Sequence, residues 1–298
     1  MADGTSVVFG ATGHVGGVIA ERLLAAGRKV RAVARSADKL TALGKKGAEV
    51  LAGDVADAAF VRRATAGTRA AFVLLPPQFG PGFRAFQERA ADAYAAAIEA
   101  NRLEHTVTLS SIGADQPKGS GPIAGVAGLE QRLDRIAGLA RLHLRPGYFL
   151  DNHLQAVGMV KGLGFHGSAI RADLALPQID PRDIGEVAAR RLLALDWKGG
   201  EVQELHGQRD LTMSEVTAVL GKAIGKPDLR YVAFPYPDAR AGMIQAGLTE
   251  ELADLYVEMS KGFNDQLLRA RQPRSAATTT PTSIEAWAQK VFVPAFQA

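Results

Sequence analysis

The chain of 298 residues contains no cysteine. Disulfides, thiolate nucleophiles and cysteine-bound zinc are therefore excluded. It also lacks an uninterrupted apolar run of about 18–20 residues, the length a membrane-spanning helix requires, so no membrane role is expected. The opening MADGTSVVFG has neither a basic leader nor a long apolar stretch, which argues against a signal peptide and for a cytoplasmic location. The six histidines show no metal-type spacing with each other or with acids, and no metal is expected. Charge of one sign is also lacking in excess: 35 Lys and Arg against 31 Asp and Glu leave +4. The basic residues are scattered, Lys45-Lys46 reads as a solvated turn, and no recognition-helix motif is present. Direct nucleic-acid binding is not expected.

What is present is enough apolar sequence, 47% of residues, to bury a substantial core. Short apolar runs alternate with helical patterns. SVVFG, KVRAVAR, AEVLAGD, RAAFVLLPP, HTVTLSS and RLHLRPG read as six strands. Helices are expected over HVGGVIAERLLAAG, DAAFVRRATAG, FRAFQERAADAYAAAIEAN and LEQRLDRIAGL. In the third of these, Phe83, Phe86, Ala90, Ala93 and Ala97 are spaced for one buried face. Strands of four to six apolar residues, each followed by a helix, indicate a parallel sheet buried on both faces, hence an α/β, Rossmann-type doubly wound fold. The pattern changes near Tyr148. We expect a Rossmann domain over residues 1–150 and a smaller α/β substrate lobe over residues 151–298, some segments of which return to the main sheet. In that half DIGEVAARRLLAL, TMSEVTAVLGKAIG, TEELADLYVEMSKGF and IEAWAQKVF read as helices, and EVQELHG and LRYVAFP as strands. Thr212 with Glu215, and Thr282 with Glu285, have capping-box spacing.

Between the first strand and the first helix lies Gly10, Gly13, Gly16, a GxxGxxG turn. A glycine at the first position permits the tight turn, the second lets backbone approach a pyrophosphate, and the third lets helix and strand pack closely. The helix N-terminus supplies free N–H groups and partial positive charge. Gly10, Thr12, Gly13, His14, Val15 and Gly16 are therefore expected to hold the phosphates of a dinucleotide. Sites for NAD place an acid after the second strand. Here Arg35 stands in that place, with Ser36 and Lys39 close by, so a 2′-phosphate and NADP(H) are favoured. Arg31, on the same face, could assist. Asp54 and Val55 follow the third strand and would lie near the adenine, although Asp54 serves equally well as a helix cap. Leu75, Pro76 and Pro77 would border the nicotinamide half, together with Ser110.

The ordered set VVFGATGHVGG, VRAVARSADKL, GDVADAAFV, VTLSSIGAD and LRPGYFLDN, with IDPRDIGEVAA and TTPTSIEAWAQKVF, resembles the NmrA-like branch of the atypical short-chain dehydrogenase/reductases over about Ser6 to Phe292. The resemblance implies a Rossmann domain binding NADP(H) and a small lobe forming a substrate cleft. It also implies one of two functions: reduction of quinones, triphenylmethane dyes or phenylpropanoid-type aromatics, or sensing of the nucleotide's redox state through a protein partner. The wider superfamily pairs a Tyr with a Lys four residues later. Here Tyr94, Tyr148, Tyr231, Tyr236 and Tyr256 are followed at that spacing by Ile98, Asn152, Pro235, Arg240 and Ser260. A reaction that needs a strong general acid is disfavoured. A quinone-like or other conjugated aromatic substrate, which becomes a phenolate or a neutral carbon on accepting hydride, is compatible.

At the sheet's carboxyl edge, Ser110 and Ser111 could orient a substrate oxygen or the nicotinamide carboxamide, or cap the following loop. Tyr148 could donate a proton, stack on an aromatic ring, or pack between lobes. Tyr148 and Ser111 are the candidate catalytic residues. Gln78, Phe79, Ile112, Phe149, Asn152, His153 and Phe165 are candidate substrate contacts, with Gln78 and Phe79 as a flexible lip. His166 is expected at the surface. The chain is expected to be a monomer or homodimer.

Overall fold

The computed structural model describes residues 4–116 and 118–298. The first half builds β1 (Thr5–Phe9), α1 (His14–Ala25), β2 (Val30–Ala34), α2 (Thr41–Lys45), β3 (Glu49–Ala52) and α3 (Ala58–Thr65). It continues through β4 (Thr68–Val73), α4 (Phe83–Ala100), β5 (His105–Leu109), α5 (Ile123–Asp134) and β6 (Ala140–Pro146). The second half adds β7 (Tyr148–Phe149), α6 (Val157–Gly162), β8 (Phe165–Ser168), β9 (Leu176–Ile179), α7 (Pro181–Ala194), β10 (Gly200–Leu205) and β11 (Asp210–Leu211). It closes with α8 (Met213–Ala223), β12 (Arg230–Ala233), α9 (Tyr236–Gln245), α10 (Glu250–Asn264), α11 (Ile284–Trp287) and α12 (Val293–Gln297).

Seven strands form one sheet in the order β10-β6-β5-β4-β1-β2-β3, every pair parallel. The direction of winding reverses between β1 and β4, and that switch point is where such sheets open a crevice at their carboxyl edge. The strands are apolar on both sides because both faces are covered. Val8, Phe72, Leu142 and Leu144 meet α1 and α7 through Ile19, Leu23, Ile184 and Leu192. On the opposite face Val7, Phe9 and Val73 meet α3, α4 and α5 through Phe60, Ala90, Tyr94 and Leu129. Each large side chain fully buried in this way contributes about 1.5–3 kcal/mol before its entropy cost.

Residues from the C-terminal half complete this architecture: β10 is an edge strand of the main sheet and α7 lies on α1. The remainder forms a small three-stranded sheet, β11-β9-β7, and a β8/β12 pair, with helices packed around Trp287, Phe292 and Leu220. The capping box expected at Thr212 and Glu215 is formed. The one expected at Thr282 and Glu285 is displaced by a residue. Ser283 caps α11, because the Thr282 hydroxyl donates to Asp183 Oδ1 at 2.7 Å. Among the described residues no helix is long and apolar enough to cross a membrane.

Candidate active site

The glycine turn lies at the switch point, between β1 and α1. Gly10 has φ +66°, a conformation that favours glycine, and a Cβ on Gly16 would sit 2.3 Å from the Gly10 carbonyl oxygen. Backbone packs on backbone here, leaving the start of α1 open; its N-cap is Gly13, and no side chain caps it. Uncapped N–H groups beside an exposed Thr12 and Gly13 suit a pyrophosphate. Val15 and Gly16 are buried beneath the turn, and His14 is exposed with Nδ1 bonded to Asp151 Oδ2.

Past the end of β2, Arg35 and Lys39 are exposed, and neither makes a side-chain hydrogen bond or ion pair within the described structure. Two free cations beside a half-buried Ser36 fit a 2′-phosphate. Arg31 does not join them. Its guanidinium donates to the Ala64 and Ala66 carbonyls at 2.8 Å each and pairs with Glu49, so its charge is spent at the end of α3. Asp54 is exposed and accepts from Ala56 N at 2.9 Å. It is not the cap of α3; Asp57 is, accepting from Ala59 and Phe60 N. Val55 is largely buried in the core on that face.

After β4, Leu75 and Pro76 are half-buried and Pro77 is exposed. Their backbone is anchored by Tyr94, whose phenol donates to the Leu74 carbonyl at 3.1 Å. Burial pushes this phenol well above its usual range, so it remains a donor. Tyr94 was not legible as a positioning residue, since its sequence context is that of an ordinary apolar helix face.

Between the ends of β5 and β6 and α10 lies a cavity of about 230 Å³. Its wall brings together Ser110, Ser111, Ile112, Tyr148, Phe149 and Asn152, six of the residues expected there. Ser110 is 5% exposed, and its Oγ has no partner among the described residues. Ser111 Oγ donates to the Ile112 carbonyl at 2.9 Å. The opposite wall is the face Tyr256, Met259 and Phe263 of α10. Sequence reasoning missed this wall. The i, i+3, i+7 spacing announces a buried face but not what it meets. The helix is fixed in place by Glu251, whose carboxylate accepts from the N–H groups of Gly82, Phe83 and Arg84 at the start of α4. Those backbone bonds hold the Glu251 carboxyl below its usual range. Burial raises both cleft phenols, Tyr148 and Tyr256, so each is protonated at neutral pH.

Four expected contacts lie elsewhere. Gln78 and the exposed Phe79 follow β4 and are not part of this wall. Phe165, on β8, packs against Phe234 with ring centroids 6.0 Å apart. His153 is buried behind Tyr148, and Gln178 Oε1 accepts from its Nε2 at 2.8 Å. His166, expected at the surface, is 3% exposed, 2.6 Å from Thr217 Oγ1 and 3.4 Å from the His153 ring. Each imidazole is stripped of water, which lowers His153 to about 4 and His166 to about 3. Both are neutral in the folded protein.

A family model described as NAD(P)H-binding matches residues 10–176. The chain is 31% identical over 80% of its length, and 80% of the relative's, to the (4-alkanoyl-5-oxo-2,5-dihydrofuran-3-yl)methyl phosphate reductase of Streptomyces griseus. Its fold matches the NADPH-dependent quinone oxidoreductase of Escherichia coli, crystallised with NADPH. The TM-score is 0.79 at 23% identity, over 97% of this chain and 99% of that one. It also matches NmrA, a negative transcriptional regulator crystallised with NADP, with a TM-score of 0.77 at 16% identity over 100% and 98% of the two chains. The chain therefore belongs to the NAD(P)H-binding family, and it shares its fold with the quinone oxidoreductase and with NmrA.

Proposed function

We propose that this NAD(P)H-dependent oxidoreductase reduces a flat, uncharged, conjugated carbonyl compound of the quinone type, with NADPH as reductant. One observation carries the reading: the cleft is walled by aromatic and aliphatic side chains, hydroxyls and the Asn152 amide, and among the described residues no Lys, Arg, Asp or Glu lines it. A phosphate monoester such as that of the Streptomyces relative would leave its charge unpaired there. A ring system instead gains dispersion contacts from Phe149, Phe263 and Met259. The volume stands near the small end of ligand pockets, roughly 300–1,000 Å³, which suits one or two rings.

When bound, NADPH supplies the hydride. Gly10, Gly13 and the start of α1 seat the pyrophosphate, Arg35 and Lys39 the 2′-phosphate, and Ser110 offers a buried hydroxyl at the junction with the cleft. Tyr148 and Tyr256, both held protonated, donate hydrogen bonds to substrate oxygens and orient the ring. With the hydride added, one proton taken from solvent completes the product, which leaves as a hydroquinone. No phenol has a neighbouring Lys to lower it, so none is asked to give up its proton at neutral pH.

The test is turnover of NADPH with benzoquinones and naphthoquinones in the wild type, Tyr148→Phe and Tyr256→Phe proteins. Loss of one neutral hydrogen bond, about 0.5–1.5 kcal/mol, lowers kcat/KM by roughly 2–10-fold in each. A drop of about 10²–10⁴-fold would instead mark an obligatory general acid. Tight NADPH binding with no turnover across the panel would replace the reductase by a nucleotide sensor acting through a protein partner.

A further inference from the structure

Asp151 belongs to the short helical segment Leu150–Ala156, directly after β7 and between the cleft residues Phe149 and Asn152. Its side chain is 14% exposed and receives three donors from distant parts of the chain. Oδ1 accepts from Trp287 Nε1 at 2.8 Å and from Arg182 NH1 at 3.3 Å. Oδ2 accepts from His14 Nδ1, across 137 residues of sequence. Arg182 is itself fixed: it lies in the first turn of α7, and its NH1 also donates to Asp180 Oδ1 at 2.8 Å. Trp287 is fully buried at the end of α11.

His14 is the first residue of α1, at the helix start where the pyrophosphate belongs. With Nδ1 engaged by Asp151, its Nε2 edge is left for whatever sits at that helix start, because the side chain is 55% exposed. An anion seated there fixes the ring from one side while the carboxylate fixes it from the other. The consequence passes directly to Asp151 and to the chain on either side of it, which carries Tyr148, Phe149 and Asn152. Nothing in the glycine motif requires such a partner, and a helix start needs no tie to the substrate wall simply to fold.

We propose that Asp151 is a positioning residue that, through His14, couples occupancy of the nucleotide site to the shape of the substrate cleft. The two sites then bind cooperatively. The proposal rests on the reading of the cleft as a quinone site only for the choice of probe.

The experiment uses the full chain with Trp197→Phe as background, so that emission comes from Trp287 alone. Trp287 reports on Asp151 directly through its indole hydrogen bond. NADP⁺ is titrated first, then menadione with and without saturating NADP⁺, which cannot reduce it. We expect NADP⁺ to shift the Trp287 emission and to tighten menadione by about fivefold or more, the usual range of coupled sites. In Asp151→Asn, and in His14→Phe at saturating NADP⁺, the tightening falls to within about twofold of none. In His14→Phe the emission shift is lost although the Trp287–Asp151 bond is intact. His14→Gln, which keeps a donor, retains part of both effects. Undiminished tightening or an undiminished emission shift in His14→Phe overturns the proposal, as does the absence of any Trp287 response to NADP⁺ in the background protein. Should menadione not bind at all, the quinone reading fails on its own. The emission shift and its loss in His14→Phe then still decide the coupling.

Discussion

Acid should destabilise this protein through two buried imidazoles, and the size of the effect follows from their surroundings. Gln178 Nε2 is committed to the Leu211 carbonyl at 3.0 Å, so its oxygen must accept, and His153 Nε2 carries a proton. His153 Nδ1 is then bare and faces His166 Nε2 at 3.4 Å, while His166 Nδ1 lies 2.6 Å from the hydroxyl of Thr217, which donates to the Met213 carbonyl at 2.8 Å. Among the described residues neither ring hydrogen-bonds a carboxylate that would offset an added charge. The folded values, about 4 for His153 and about 3 for His166, lie below the unfolded reference of about 6.5. The unfolded chain therefore binds more protons in that window. Stability is fully present above about pH 6.5 and is lost as pH falls toward the folded values. Between about pH 7.5 and about pH 5 each histidine costs ~2 kcal/mol, or ~4 kcal/mol for the pair. Urea unfolding of the wild type and of His166→Gln at several pH values across this range checks the claim. The variant's stability at neutral pH does not matter, since only the pH slope is read. Halving of the acid loss in the variant is expected. Equal slopes in the two proteins would show that the buried pair does not titrate as argued.

Three further outcomes follow. Arg35→Glu should lower the preference for NADPH over NADH by roughly 10–100-fold, the worth of about 1.5–3 kcal/mol in charge-assisted bonds, as read by titration of both nucleotides; an unchanged ratio would detach Arg35 from the 2′-phosphate. Gly16→Ala places a methyl 2.3 Å from the Gly10 carbonyl oxygen. It should cost about 1–3 kcal/mol of stability and weaken NADPH binding, measured by denaturation and titration on the same sample. Asp183→Ala removes the acceptor of Thr282 N at 3.0 Å and of its hydroxyl at 2.7 Å. Loss of about 1–3 kcal/mol is expected in urea unfolding, with NADPH affinity unchanged.

The parts of the site that were legible in the sequence are those built from neighbours in the chain. GATGHVGG places a turn and an open helix start by local geometry alone, and Arg35 follows a strand whose end is marked by its apolar run. Ser110, Ser111, Tyr148, Phe149 and Asn152 could be placed because strand ends in a doubly wound sheet converge on one edge. What escaped depends on partners far away. Tyr256 belongs to an amphipathic helix whose docking is decided by Glu251 at the start of α4. His166 sits among glycines, where exposure is the natural reading, and His153 follows a strand end, where a substrate contact is the natural reading. They are buried because Gln178 and Thr217, 25 and 51 residues further on, supply what water would have supplied. Arg31 has the right alternation to reach a phosphate, and nothing local shows that two carbonyls at the end of α3 already hold it.

The place of β10 in the main sheet has a consequence for how the chain is made. It pairs in parallel with β6 along the whole of Gly200–Leu205, and α7, which precedes it, covers α1. A nascent chain that has released everything through Pro146 therefore still shows a bare β6 edge and an uncovered apolar helix face. At about 5–20 residues per second, synthesis of the stretch from Gly147 to Leu205 takes roughly 3–12 s. For that time the largest part of the nucleotide-binding sheet exists with an open edge of the kind that invites pairing with another chain. The growing protein, rather than the finished one, is the form most in need of a chaperone.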